Sequence, residues 1–223
     1  MQHYVAFLLG HSHEDGKSDP AGVIPAGYPN AGAKEPDLCG VILRGAIQRA
    51  ADNGVGAFYM MLPDDVIAPG RRATYATQMK RAQDEATKRA AGSDFRLLVV
   101  HGHGDMSGHR DRLLFNDKRS TWGRNAVAAF NATPLVDESY IDSIRVFESI
   151  PDAHPEIPEP NDWLSRSYNC IQSAYTLKRT CAILAEFGNL QSRQHAATLW
   201  APDGLQRAAD WLYRASEAWR ASI

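Results

Sequence analysis

Residues 95–104 have the sequence FRLLVVHGHG, in which an apolar run ends directly on two histidines that are separated by one glycine. A short continuous apolar run of this kind is typical of a strand that is buried on both faces of a sheet. In open parallel sheets, ligands bind at the carboxyl ends of the strands. The stretch therefore predicts a strand over residues 95–100 that delivers His101 and His103 to the functional edge of a sheet.

Two other apolar runs end in the same way. Residues 4–9 are followed by Gly10, His11, Ser12 and His13, and residues 181–185 end on Glu186. Between them the sequence predicts helices over 35–53 and 71–91 and a strand over 55–62. This alternation predicts an α/β fold, a single twisted, mostly parallel sheet covered by helices on both faces.

The rest of the chain is consistent with one domain over residues 1–223. Residues 112–115 and 144–147 are predicted strands, and residues 122–130 are a predicted helix. Four prolines among acidic residues at 150–160 indicate a loop or lid at about 150–162. Asp203 is a predicted N-cap, and the helix after it has an apolar stripe: Leu205, Ala208, Ala209, Leu212, Ala215 and Trp219.

Charge and cysteine content exclude several classes of function. The 24 Lys and Arg against 26 Asp and Glu offer no bulk attraction to nucleic acid or to an anionic membrane. The three cysteines are too scattered for a disulfide framework. The sequence has no export signal at its start and no apolar run long enough to span a membrane, so we expect synthesis in the cytoplasm.

The polar residues at the predicted strand ends are competent to bind a metal. Histidines follow the first and third apolar runs, and Glu35 begins a helix that would open onto the same edge. Two imidazoles and a carboxylate leave one tetrahedral position of zinc open, which is the arrangement of a catalytic site. Glu186 is a charged residue at the end of a buried strand, which is costly unless the group is paired or functional. Such a carboxylate could move a proton between an attacking water and a leaving amine.

Four segments in this order resemble the zinc N-acetylmuramoyl-L-alanine amidases of type 3. That family cuts the lactyl-alanine amide of peptidoglycan and includes many phage endolysins. The matching segments are FLLGHS at residues 7–12, GAKEPDL at 32–38, LVVH at 98–101 and AILAEFGNL at 182–190. The resemblance implies one zinc held by His11, Glu35 and His101, with Glu186 as the catalytic carboxylate.

The segments depart from the family pattern in two places. Ser12 and His13 stand where the family usually has two glycines, and His103 stands where it usually has Asn. The resemblance therefore leaves His13 and His103 as candidates for contacts to the metal ligands or to the substrate. We expect His101 to be the ligand because it follows the strand directly, whereas His103 lies between two glycines, which loosen the chain.

The resemblance implies a hydrolase that degrades cell walls, with peptidoglycan as its partner and an endolysin-like place of action after release from the cell. Two alternatives remain. A caspase-like cysteine peptidase would use His101 with Cys170 as the nucleophile, although the residues before Cys170 do not form an apolar strand. A non-catalytic module would keep the cleft and only bind cell-wall fragments.

Overall fold

The computed structural model describes residues 1–9, 22–61, 75–105, 112–116, 121–133, 144–147 and 177–223. These parts of the chain contain one six-stranded sheet. Its strands are β1 (Gln2–Leu9), β2 (Phe58–Met61), β3 (Phe95–Asp105), β4 (Arg112–Asn116), β5 (Ile144–Phe147) and β6 (Thr180–Asn189), in the spatial order β2-β1-β3-β6-β4-β5. β2, β1, β3 and β6 are mutually parallel, and β4 pairs antiparallel to β6 and parallel to β5.

Five helices belong to the same parts of the chain: α1 (Glu35–Asp52), α2 (Tyr75–Ala90), α3 (Thr121–Ala132), α4 (Arg193–Ala197) and α5 (Pro202–Ala221). Helix α1 begins as its sequence indicates. Pro36 occupies the first turn, where a missing N–H costs nothing. Glu35 and Asp37 lie at the positive end of the helix dipole, and Arg49 lies at the negative end.

The two faces of the sheet pack against different helices. On β1, alternate residues such as Val5 and Phe7 join a core formed with α1, α3 and α5. The residues between them, such as Ala6 and Leu8, join a second core that includes Met79 of α2. This period of two is the side-chain alternation of a strand that is buried on both faces. The predicted α/β fold, a mostly parallel sheet with helices on both faces, is therefore confirmed.

Helix α5 closes the first core with the stripe that the sequence predicts. All six predicted stripe residues are buried, and so is Trp211. The indole N–H of Trp211 donates to the carbonyl oxygen of Thr133 at 3.2 Å, and that of Trp219 donates to the carbonyl oxygen of Trp122 at 3.2 Å. Because the polar end of each indole has a partner, the rings bury large apolar surfaces without an unsatisfied N–H.

Several predicted boundaries differ from the structure. β2 begins at Phe58 rather than at residue 55, and β6 continues past Glu186 to Asn189. β3 does not end at Val100 but continues to Asp105, because its pairing with β6 extends through the histidines. Helix α5 is capped by Ala201 rather than by Asp203, since Pro202 already has the backbone angle of a first helical residue. The short helix α4 is not predicted from the sequence. The predicted lid at 150–162 lies outside the described residues.

No helix within the described ranges has the length and apolar character that crossing a membrane requires.

Candidate active site

The carboxyl ends of β3 and β6 bring three of the predicted site residues together. His101 and His103 lie two residues apart on β3, so both side chains leave the same face of the strand. In the parallel register between the two strands, His103 is the partner of Glu186 on β6. The two predicted strand ends are therefore neighbours in the sheet.

Glu35 approaches the same edge from the start of α1. Its side chain is buried, and its two carboxylate oxygens accept from different backbone donors. Oε2 accepts from the N–H of Gly22 at 3.0 Å, and Oε1 accepts from the N–H of Gly104 at 2.9 Å. Hydrogen bonds to a carboxylate are stronger than those between neutral groups, so these two offset part of the cost of burying the charge. The bond to Gly104 holds the carboxylate against β3.

Gly104 allows this close approach because it has no side chain. A Cβ atom at this position would lie 3.3 Å from Cγ of Glu35 and 3.1 Å from Cδ1 of Leu190. Both distances are shorter than ordinary van der Waals contacts, so any larger residue would displace one of these neighbours. The glycine that follows His103 therefore has a packing role that the sequence alone does not show.

The two histidines and Glu35 form one chain of contacts. Nδ1 of His103 lies 3.5 Å from Oε1 of Glu35. On the other side of the ring, Nε2 of His103 lies 2.6 Å from Nδ1 of His101, and the two ring centroids are 4.5 Å apart. His101 and His103 are both buried. The imidazole of His103 thus lies between the carboxylate of Glu35 and the imidazole of His101.

Glu186 lies on β6, which is an interior strand of the sheet with β3 on one side and β4 on the other. Its cross-strand partners are His103 on β3 and Leu113 on β4. Ala185 and Phe187, its neighbours along β6, are buried, whereas Glu186 is partly exposed. The sheet therefore holds this side chain in place, and its Oε2 atom is buried.

Cys39 lies on the helix that begins at Glu35. It lies one helical turn after Glu35, and its thiol is fully buried. Burial raises the pKa of the Cys39 thiol well above its usual range, and the negative charges of Glu35 and then Glu186 raise it further. The Cys39 thiol therefore stays neutral at neutral pH.

Asn30 connects the loop before Glu35 to the segment after Glu186. Its φ of 58° is in the left-handed region, which Asn tolerates better than most residues. Its side-chain Nδ2 donates to the carbonyl oxygens of Ala196 at 2.9 Å and Trp200 at 3.2 Å. The loop that ends at Glu35 is thereby fixed to the turn that follows β6.

His195 stabilises the same turn by a hydrogen bond to the end of β6. Its Nδ1 accepts from the N–H of Asn189 at 2.9 Å, and Nε1 of Trp200 donates to the carbonyl oxygen of Asn189 at 3.3 Å. Asn189 is the last residue of β6, three residues after Glu186. Neither Asn30 nor His195 was predicted as a site residue, because their role depends on contacts between distant parts of the chain.

The donor types at this edge suit zinc. Carboxylate oxygen and imidazole nitrogen are ordinary zinc ligands, and Glu35 and His101 present them from a helix start and a strand. Within the described ranges, no group of three His, Cys, Asp or Glu side chains is arranged to hold a metal ion. The third predicted ligand, His11, lies outside these ranges, as do His13 and Cys170. The ligand set therefore stays a prediction.

Solved structures that resemble this chain include N-acetylmuramoyl-L-alanine amidases and the catalytic domain of an endolysin. An N-acetylmuramoyl-L-alanine amidase from Clostridium difficile 630 matches with a TM-score of 0.57 at 11% identity, over 100% of this chain and 99% of that chain. Ami1, the N-acetylmuramyl-L-alanine amidase from Mycobacterium smegmatis, matches with a TM-score of 0.54 at 15% identity, over 99% and 98%. The catalytic domain of the CD27L endolysin, which targets Clostridia difficile, matches with a TM-score of 0.50 at 9% identity, over 97% of both chains.

No protein-family model and no curated protein matches the sequence. At identities this low, the structural matches establish the fold. The four sequence segments predicted the fold of the N-acetylmuramoyl-L-alanine amidases. The structural matches confirm that fold over nearly the whole chain.

Proposed function

We propose that this protein is a zinc-dependent N-acetylmuramoyl-L-alanine amidase that acts on peptidoglycan. The observation that carries the proposal is the meeting of Glu35, His101, His103 and Glu186 at the carboxyl ends of β3 and β6. In folds of this class, that edge is where ligands bind. The residues that meet there are the types that metal-dependent amide hydrolysis needs.

Glu35 and His101 would hold the zinc together with His11, which is the third ligand that the resemblance implies. The metal would supply a Lewis acid for the amide carbonyl and make a hydroxide nucleophile available near neutral pH. Glu35 is already oriented by the N–H groups of Gly22 and Gly104, so it would not need to reorganise when the ion binds.

Glu186 is the proposed proton carrier. It accepts the proton of the attacking water as the new C–O bond forms, and it donates that proton to the alanine nitrogen as the C–N bond breaks. The products are a lactyl carboxylate on the muramic acid and a free alanine amine. The partial exposure of Glu186 supports this role, because the side chain must meet both water and substrate.

A digestion experiment tests the reaction directly. Peptidoglycan incubated with the zinc-loaded protein should gain free amino-terminal alanine and lose the bond between muramic acid and the stem peptide, as measured by amine labelling and mass spectrometry. The Glu186→Gln variant is the control for contaminating hydrolases. Cleavage of a glycosidic bond, or cleavage inside the stem peptide, would refute the proposal.

Two other functions predict different outcomes of the same digestion. A non-catalytic module would bind peptidoglycan and release nothing. A cysteine peptidase that used Cys170 would cleave a peptide bond and would be stopped by thiol reagents. A single domain over residues 1–223, a lid at about 150–162 and action on the cell wall after release from the cytoplasm are further parts of the proposal.

A further inference from the structure

We infer that Arg193 is a specificity-determining residue, whose guanidinium binds a carboxylate of the peptide that follows the scissile amide. The inference rests on the proposed function for the identity of the substrate. It begins from the contact between Arg193 and the ring of Tyr28, beyond the carboxyl end of β6.

The first step concerns the place of Arg193. It is the first residue of α4, and β6, the strand of Glu186, ends four residues earlier at Asn189. The side chain of Ser192 accepts from the N–H of His195 at 3.2 Å. Nδ1 of His195 accepts in turn from the N–H of Asn189 at 2.9 Å. The start of α4 is therefore fixed to the end of the strand that carries Glu186.

The second step concerns Tyr28, which lies in the loop that leads to Glu35. Its ring is half-buried and packs against the first core. Its N–H donates to the carbonyl oxygen of Pro25 at 3.2 Å, and its own carbonyl oxygen accepts from the N–H of Ala31 at 3.1 Å. The guanidinium carbon of Arg193 lies 5.9 Å from the ring centroid, within the range of a cation–π contact. A ring that the core holds thus orients the guanidinium.

The contact spans two segments that meet at the proposed site. Tyr28 belongs to the loop before Glu35, and Arg193 belongs to the segment after Glu186. β6 continues for three residues past Glu186, which is about 10 Å at the rise of a parallel strand. An extended peptide covers a similar distance in about three residues. A peptide that leaves the scissile amide can therefore bring one of its first side chains to Arg193.

The third step concerns the donors of the guanidinium. Six arginines in the described ranges pair with a carboxylate: Arg49, Arg89, Arg96, Arg179, Arg214 and Arg220. Arg193 is exposed, and among the residues that the structure describes it has no carboxylate partner. A stacked guanidinium keeps the N–H groups along its edge available, and their fork matches the two oxygens of a carboxylate. In peptidoglycan, the residue that follows the alanine is acidic and supplies such a group.

Binding of two muramoyl tripeptides tests the inference without turnover. In both, alanine is followed by D-glutamate, joined through its γ-carboxyl group to L-lysine amide. The acid peptide has a free α-carboxylate on the glutamate, and the amide peptide has a carboxamide there, so they differ in one charge. The reference protein is zinc-loaded Glu186→Gln. By calorimetry, we expect it to bind the acid peptide about 3–10-fold more tightly, between the effects of an exposed ion pair and of a hydrogen bond to a charged group.

Substitutions in this reference protein assign the preference to one side chain. Arg193→Gln should lower the affinity for the acid peptide to that for the amide peptide and leave the latter unchanged. Arg193→Lys keeps the charge without the fork and should retain part of the preference. Arg44→Gln removes another exposed arginine, about 13 Å along α1 from Glu35, and is the matched control that should keep the full preference.

Each outcome decides for or against the inference. Equal affinity of the reference protein for the two peptides, or no binding of either, would overturn it, and so would a preference that persists in Arg193→Gln. If Arg193→Gln does not fold, a full preference in Arg193→Lys would overturn it. A preference that depends on Arg193, in a protein that does not cleave peptidoglycan, would leave the inference standing and refute only the proposed function. Cleavage without any preference would refute only the inference.

Discussion

At the scale of single residues, substitution of Glu186 distinguishes the proposed catalysis from mere binding. The side chain lies beside His103 in the sheet register and stays partly exposed, while the residues on either side of it are buried. A protein that only bound cell-wall fragments would need no proton carrier there. The proposed mechanism needs that carboxylate to carry one proton.

Glu186→Gln should keep the fold and the zinc but lose most of the turnover. Gln preserves the shape of the side chain and cannot take the proton of water, and proton-transferring groups contribute about 10²–10⁴-fold to rates. Turnover and zinc content are measured on the same preparation. Glu217→Gln is the matched control, because Glu217 lies at the opposite end of the sheet from Glu186. Glu217 pairs with Arg220, and the carbonyl oxygen of Arg220 contacts His3 at the amino end of β1. Loss of zinc from Glu186→Gln would make Glu186 a ligand.

The thiols should be bystanders. Burial first, and then the charges of Glu35 and Glu186, raises the pKa of Cys39, so its thiol lacks the reactive thiolate form at neutral and mildly alkaline pH. Cys181 is fully buried as well. We expect iodoacetamide at pH about 8 to leave both thiols of the folded protein unmodified and to spare turnover. Peptide mapping after alkylation measures this.

The third cysteine separates the two enzyme classes. Cys170→Ser should retain full turnover if the metal mechanism is correct. A Cys170→Ser protein that folds normally and is inactive would instead support the cysteine peptidase.

At the scale of elements, the turn between β6 and α5 holds the end of β6. Gly204 lies in the first turn of α5, where a Cβ atom would overlap the carbonyl oxygens of Thr198 and Leu199. These atoms belong to the backbone and cannot rotate away. The turn also receives the side chain of Asn30, so a shift there would reach the loop before Glu35.

Gly204→Ala should therefore destabilise the protein by about 1–3 kcal/mol, the usual cost of overpacking. The better helix propensity of Ala is worth at most about 1 kcal/mol, so the steric cost dominates. Urea denaturation measures the free energy of unfolding. Gly56→Ala is the matched control, because a Cβ atom there meets nothing within 4 Å. Equal stability of the two variants would contradict the described packing of this turn.

Local sequence patterns predicted the elements and missed what depends on contact between them. The apolar runs and the stripe of α5 predicted the sheet and the helices on its faces, because burial leaves a periodic trace in the sequence. The predicted end of β3 at Val100 was wrong. The pairing of His103 with Glu186 extends the strand, although the two glycines beside His103 favour a flexible backbone. The chain of contacts from Glu35 to His101 through His103 joins a helix start to a strand end, and no local pattern contains that information.

At the scale of the whole molecule, the proposed zinc links the start of α1 to the end of β3. A ligand that binds only the folded state stabilises it, by about 2.7 kcal/mol at 100 times the dissociation constant. Zinc should therefore raise the Tm of the metal-free protein, and a chelator should reverse the shift. His101→Ala should show no such response. An equal rise in Tm for His101→Ala would mean that zinc binds elsewhere.

Zinc titration of the metal-free protein, followed by the rate at which alanine amines are released from peptidoglycan, tests the proposed zinc-dependent amidase activity. We expect negligible cleavage without metal, a rate that rises in proportion to added zinc, and a plateau at one zinc per chain. Full cleavage by the metal-free protein, or no cleavage at any ratio of zinc to protein, would contradict it.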